Sequence, residues 1–239
     1  MKTHLLRASI LGTAAAGCLL GAPAVLADPI PGLGQPMQIA LMLGALSLLP
    51  AIIMSVTPFL RITLVLHFLR QALGTQTTPS NQALLGLSLF LTAVVTQPLT
   101  GQLNENSWAP YRAGRKTAEQ AAGDAVGPLR TFLLKFAREK DISLILEISK
   151  TKPPKTSDGL DLRVLIPAYM LSELRAGFQI GAVLFFPFLV VDLIVASVTL
   201  AVGMVQLPPA MISAPFKILL FVLVDGWNLV IGSLVRSFG

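Results

Sequence analysis

Asp192, Lys217 and Asp225 are the residues of this chain best placed to do chemistry, because each is an ionisable group inside a long apolar stretch. An unpaired carboxylate in hydrocarbon costs at least ~2.5–3.5 kcal/mol, so such a group faces other protein, an opposite charge or a water-filled path. Asp225 stands with Gly226, Trp227 and Asn228 in the middle of residues 212–234, a run otherwise apolar enough to be a plain membrane-spanning helix. If the segments on either side of Gly203 to Pro209 fold back about Gln206, the residue opposite Asp192 is near Leu220. Lys217 is three residues from there, about 4.5 Å along a helix axis. Asp192 and Lys217 can therefore pair, which removes most of the cost of both charges and ties the hairpin in one register. The alternative has Lys217 reaching to the interface while Asp192 lines water. Asp225 has its mirror position near Pro187 and finds no such charge. Its acid, glycine, indole and amide then read as a contact with another subunit, where glycine permits close approach. The competing reading is a bond to the first hairpin of the same chain.

Other chemistries have little to work with. His4 belongs to the leader, so His67 is the sole histidine of the mature chain, and a single histidine on an apolar helix is a packed residue before it is a metal ligand. Cys18 is the only cysteine and also falls in the leader, which excludes disulfide frameworks and thiolate sites in the mature chain. Neither a phosphate-cradling Gly-x-x-x-x-Gly-Lys nor a Gly-x-Ser-x-Gly elbow occurs. The sequence predicts no enzyme, no cofactor and no metal.

The elements that must position these residues follow from composition. With 54% hydrophobic and 13% charged residues among 239, the chain is an integral membrane protein. Residues 1–27 read as a cleavable signal peptide: Lys2 and Arg7, then an apolar stretch from Ile10 to Leu20, then Val25, Leu26 and Ala27 before Asp28. Lipid attachment at Cys18 is the rival. The net charge of +6 falls by two with the leader, too small an excess to suggest nucleic acid.

Four apolar segments follow, at 37–57, 84–99, 178–202 and 212–234. With Asp28 outside, 59–83 is cytoplasmic, 100–161 periplasmic, 203–211 cytoplasmic and the carboxyl end periplasmic. The cytoplasmic tip carries Arg61, Arg70, Gly74 and Gln76, with Gly74 as helix stop and Ser80 or Asn81 as the next cap. Residues 104–127 read as loop or weak structure. Pro128 starts an amphipathic helix over 128–148, and 162–178 resumes helix with a kink at Pro167. The expected fold is an all-α membrane protein with helical hairpins at 28–103 and 162–239 around a periplasmic region, 104–161. Met204 and its uncharged neighbours join the last two segments. A ring of such loops would form a soft constriction, although a plain turn is the simpler reading.

Long, ordered motifs carry a resemblance. They include Pro58-Phe59-Leu60-Arg61-Ile62, Leu69-Arg70-Gln71-Ala72-Leu73-Gly74-Thr75-Gln76, Arg138-Glu139-Lys140-Asp141, Leu171-Ser172-Glu173-Leu174, Pro187-Phe188-Leu189-Val190-Val191-Asp192, Leu207-Pro208-Pro209, Pro215-Phe216-Lys217 and Asp225-Gly226-Trp227-Asn228. Together they cover most of residues 50–235, and the chain resembles the FliP family of flagellar type III secretion export-gate proteins. The resemblance implies five copies joining FliQ and FliR proteins in a helical, conical pore of the inner membrane, within the flagellar basal body. Unfolded flagellar proteins would pass through it. It also implies that Met204, Val205, Gln206 and Leu207 form a gasket sealing the pore. The family commonly has consecutive methionines there, and this chain keeps only Met204. A small-solute or ion transporter subunit using Asp192 and Asp225 is the alternative function.

Overall fold

The computed structural model describes residues 34–75, 77–151, 154, 159–204 and 208–239. The leader with Cys18, Gln76 of the tip, and Val205, Gln206 and Leu207 of the last loop lie outside the described residues. Every element is a helix or a turn, and no strand occurs among the described residues.

The chain divides into two compact units, residues 1–52 and 53–239. The described part of the first is helix α1, Gln35–Val56, whose last turn belongs to the second unit. Its 22 residues are apolar on all sides and none is buried. At 1.5 Å per residue it is about 33 Å long, enough to cross a hydrocarbon core.

The second unit is organised around α2, Phe59–Ala72, and α8, Leu162–Ala201. Pro58 starts α2, and Gly74 at φ +73° stops it in a conformation that a Cβ would disfavour. Ile62, Val65, Leu66, Leu69 and Ala72 follow helical spacing, and all are 1% exposed or less. They form the main core together with Leu84, Leu91, Phe188, Phe221 and Leu234. Gly177 and Gly181 lie one turn apart on α8 and receive the side chains of Leu64 and Phe68. Seven of the 14 residues of α2 are buried. Hydropathy and burial run in opposite directions here, since α2 has seven buried residues and the more apolar α1 has none.

Ser80 caps α3, Asn81–Val95, by accepting the N–H of Ala83 at 3.2 Å. The chain then bends by 58° into α4, Gln97–Leu103, a π-helical turn, Asn104–Trp108, and the short α5, Ala109–Arg112. Helix α6, Ala118–Phe136, opens with a capping box: Thr117 Oγ1 accepts the Gln120 N–H at 3.3 Å and Gln120 Oε1 accepts the Thr117 N–H at 3.1 Å. Residues 104–127, expected as loop, are therefore mostly helical. The box and the alanines after it outweigh the glycines. Pro128 lies inside α6 and does not start it; Gly127 before it has no Cβ to crowd the proline ring.

The helix expected over 128–148 is two, because Ala137 is extended, with ψ 128°, between α6 and α7, Glu139–Ile148. Polar contacts hold that break. Arg138 N–H donates to Ser172 Oγ at 2.9 Å, and Ser172 Oγ donates to the buried carboxylate of Asp141 at 2.7 Å. Arg175 approaches the same carboxylate at 3.7 Å.

Helix α8 runs through Pro167 and Pro187 for 40 residues, about 60 Å, so the two segments expected at 162–178 and 178–202 are one helix. The fourth apolar segment is instead divided into α9, Pro209–Leu223, and α10, Gly226–Arg236, meeting at 67°. Among the described residues, two helices, α1 and α8, are long and apolar enough to cross a membrane, and four if each bent pair counts as one span. This is an all-helical membrane protein. Large apolar side chains such as Val183, Phe186, Leu193, Val198, Met211 and Leu223 stand exposed along the α8/α9 hairpin, an outer surface made for lipid or for other protein.

Candidate functional site

The hairpin of α8 and α9 brings Asp192 and Lys217 together. Lys217 Nζ lies 2.6 Å from Asp192 Oδ2, and Ser213 Oγ donates to Asp192 Oδ1 at 2.5 Å. Ser213 precedes Lys217 by four residues, which puts both on one face of α9 against α8. Both carboxylate oxygens are thereby engaged, one by a cation and one by a hydroxyl. The lysine side chain is 8% exposed and the aspartate 41%, so the ammonium is the more deeply enclosed partner. A site so saturated is suited to fixing the hairpin's register.

Asp225 occupies a different setting from the one expected. It does not sit within a helix but at the junction of α9 and α10, with φ +50° and ψ 52° in the left-handed region. Aspartate and asparagine enter this region more readily than other residues with a Cβ. Its carboxylate accepts a hydrogen bond from Asn228 Nδ2 at 3.2 Å, so the acid has a partner within its own turn. Gly226 lies against the ring of Phe221, where a Cβ would overlap the ring carbons. Trp227 meets Phe221 edge-on at 5.5 Å, and Phe221 in turn packs on Phe188 at 6.4 Å. The four residues make a corner, with the glycine inside and the acid, amide and indole outside. Treating 212–234 as one straight helix concealed this.

The proposed tip is divided by the length of α2. At its carboxyl end Arg70 Nη1 donates to Asn81 Oδ1 at 2.5 Å and to Pro79 O at 3.4 Å, while Thr75 Oγ1 donates to Arg70 O at 3.3 Å. These bonds close the turn around Gly74. Arg61 is at the other end of α2, buried, and bonded to Glu173 of α8, with no part in the tip. Its guanidinium also donates to Ser237 O and Ser237 Oγ, both at 3.2 Å, and lies 4.1 Å from the ring centre of Phe238. Glu173 is fully buried. Sequence reasoning did not single out Glu173 as a site residue, although an acid on the apolar face of the helix leading into 178–202 was a signal that a buried cation lay opposite.

His67 is half-buried, with Nδ1 2.8 Å from Thr63 O of its own helix. No group of three or more histidine, cysteine, aspartate or glutamate residues is arranged to hold a metal ion among the described residues. Met204 is exposed at the end of α8, just after Gly203 at φ +80°.

Comparison with known proteins gives the family. Residues 42–234 match the FliP family. The chain is 43% identical over 220 residues to a protein from Pectobacterium carotovorum subsp. carotovorum named flagellar biosynthetic protein FliP, with 90% of this chain and 85% of that one covered. A protein of the same name from Bacillus subtilis (strain 168) is 42% identical over 201 residues, covering 84% and 91%. Another from Caulobacter vibrioides is 45% identical over 201 residues, covering 84% and 76%. With a match that spans the core of α2 and α8, the paired hairpin and the Asp225 corner, this chain belongs to the FliP family.

Proposed function

We propose that the protein is a pore-forming core subunit of the flagellar type III export gate, passing unfolded flagellar proteins across the inner membrane. As a FliP-family member it is a component of the flagellar export apparatus. The observation that carries the finer reading is the α8/α9 hairpin, whose outer surface is apolar and exposed although the two helices are tied together by a charge pair. Such a hairpin is finished inside and unfinished outside. Apolar exposure of this extent is covered by lipid or by neighbouring subunits. At about 60 Å, α8 is twice the length of a ~30 Å hydrocarbon core; its first half is covered by the chain's own helices, and the apolar second half is left for lipid or neighbouring subunits.

On this reading several copies, five by analogy with the family, assemble with FliQ and FliR proteins and with other basal body proteins. The loops around Met204, Val205, Gln206 and Leu207 converge as the seal, and residues 104–161 face the periplasm. The corner at Asp225, Gly226, Trp227 and Asn228 meets the next copy. The role is that of a conduit, with no catalytic step in this chain.

Co-expression with its FliQ and FliR neighbours followed by native mass spectrometry tests the reading. A discrete complex with several copies of this chain is expected. Purification of the chain only as an isolated species able to transport a small solute by itself would overturn it.

A further inference from the structure

Lys217 does more than neutralise Asp192. Its ammonium is better enclosed than the carboxylate it pairs with, so something besides Asp192 covers it. That cover is the end of α2. A Cβ built on Gly74 would stand 4.0 Å from Lys217 Nζ and 3.8 Å from the Cβ of Ala214.

Gly74 follows the last turn of α2, where the Gly74 N–H returns to Gln71 O at 3.1 Å and the chain leaves in the left-handed conformation. The last carbonyls of a helix lack intrahelical partners and give that end a partial negative charge. The ammonium is therefore held between a carboxylate on α8 and the negative end of α2. The other bonds of the tip, from Arg70 to Asn81 and Pro79 and from Thr75 to Arg70, all stay within the first hairpin. Lys217 and Ala214 reach it from the second.

We propose that Lys217 is an electrostatic latch by which α9 holds the tip at Gly74, the end of α2. Displacement of the tip is thereby transmitted through Lys217 to α9. The device lies within one chain and does not depend on the pore reading.

The test uses the full chain in lipid nanodiscs with Cys18→Ser, and spin labels at Thr77→Cys on the tip and Ser197→Cys on α8, both exposed positions. The distance between them is measured by pulsed electron resonance. A narrow distribution is expected for the parent. Lys217→Met should broaden it at least two-fold, whereas Lys217→Arg and Asp192→Asn should leave it narrow, because a cation still faces the end of α2. An unchanged distribution in Lys217→Met overturns the latch. Equal broadening in Asp192→Asn also overturns it, since the tip would then respond only to the register of the second hairpin. Should Lys217→Met fail to fold, Ala214→Leu decides: it keeps both charges but wedges α9 from Gly74, so broadening supports the latch and a parental distribution removes it.

Discussion

Phe68 of α2 lies over Gly181 of α8 so closely that any side chain on Gly181 would enter its ring. One turn earlier, a Cβ on Gly177 would stand 2.7 Å from Leu64 Cδ2. Phe178 and Phe185 flank the Phe68 ring at 5.3 and 6.2 Å, which leaves it little room to turn aside. Gly181→Ala is expected to cost about 1–3 kcal/mol, the range for overpacking, and to lower the unfolding midpoint in detergent. Phe68→Leu combined with Gly181→Ala should recover part of the loss, and absence of any recovery would locate the damage elsewhere.

The buried pair of Arg61 and Glu173 predicts asymmetric losses. Removing one member of such a pair leaves a buried charge uncompensated and costs about 3–5 kcal/mol. Glu173→Ala should therefore reduce thermal stability more than Glu173→Gln, which keeps an acceptor for the guanidinium. Equal losses in the two variants would argue that packing, with no charge term, dominates the position.

At the second hairpin the expected quantity is a coupling. Asp192→Asn and Lys217→Met, singly and together, should show an interaction energy within about 0.5–3 kcal/mol for directly contacting residues. The open side of Asp192 places it toward the lower end. Additive effects in an unfolding cycle would show that the 2.6 Å contact contributes nothing net.

Asp225 separates fold from assembly. Asp225→Asn should leave monomer stability within about 0.5 kcal/mol, because asparagine tolerates the left-handed conformation. Asp225→Ala loses both that tolerance and the Asn228 bond. If the corner contacts the next copy, Asp225→Ala abolishes the oligomer seen by native mass spectrometry while Asp225→Gly, relaxed in backbone, also fails to assemble. A fully assembled Asp225→Gly complex would end the subunit-contact reading.

Thr117→Ala should cost about 1 kcal/mol through the lost capping box. Amide exchange is expected to accelerate over the first turn of α6 and nowhere in α2.

What could be read in advance was whatever depends on counting along a chain. The pairing of Asp192 with Lys217 needs only two helices and a turn centre, and the stop at Gly74 and the cap at Ser80 need only local backbone chemistry. Burial was harder, because α1 is the more apolar of the two helices, while the partners that enclose α2, among them the notch of Gly177 and Gly181, are distant in sequence. The corner at Asp225 was hidden for a related reason. Its residues were noticed as foreign to a helix, but an apolar run of that length reads as continuous unless the left-handed aspartate is recognised as the break. In residues 104–127 the glycines were weighted as breakers, and the Thr117 and Gln120 box that starts a helix among them was passed over.

The unbroken course of α8 makes it a lever. From Glu173 to Ala201 the helix runs about 42 Å, so a pivot of about 5° at Glu173 would carry the far end about 4 Å. Its Ser172 and Glu173 end is anchored by buried polar bonds to α7 and α2, and its far end carries Gly203 and Met204. A rotation about the anchored stretch would carry the Gly203 end with it, without any helix having to bend.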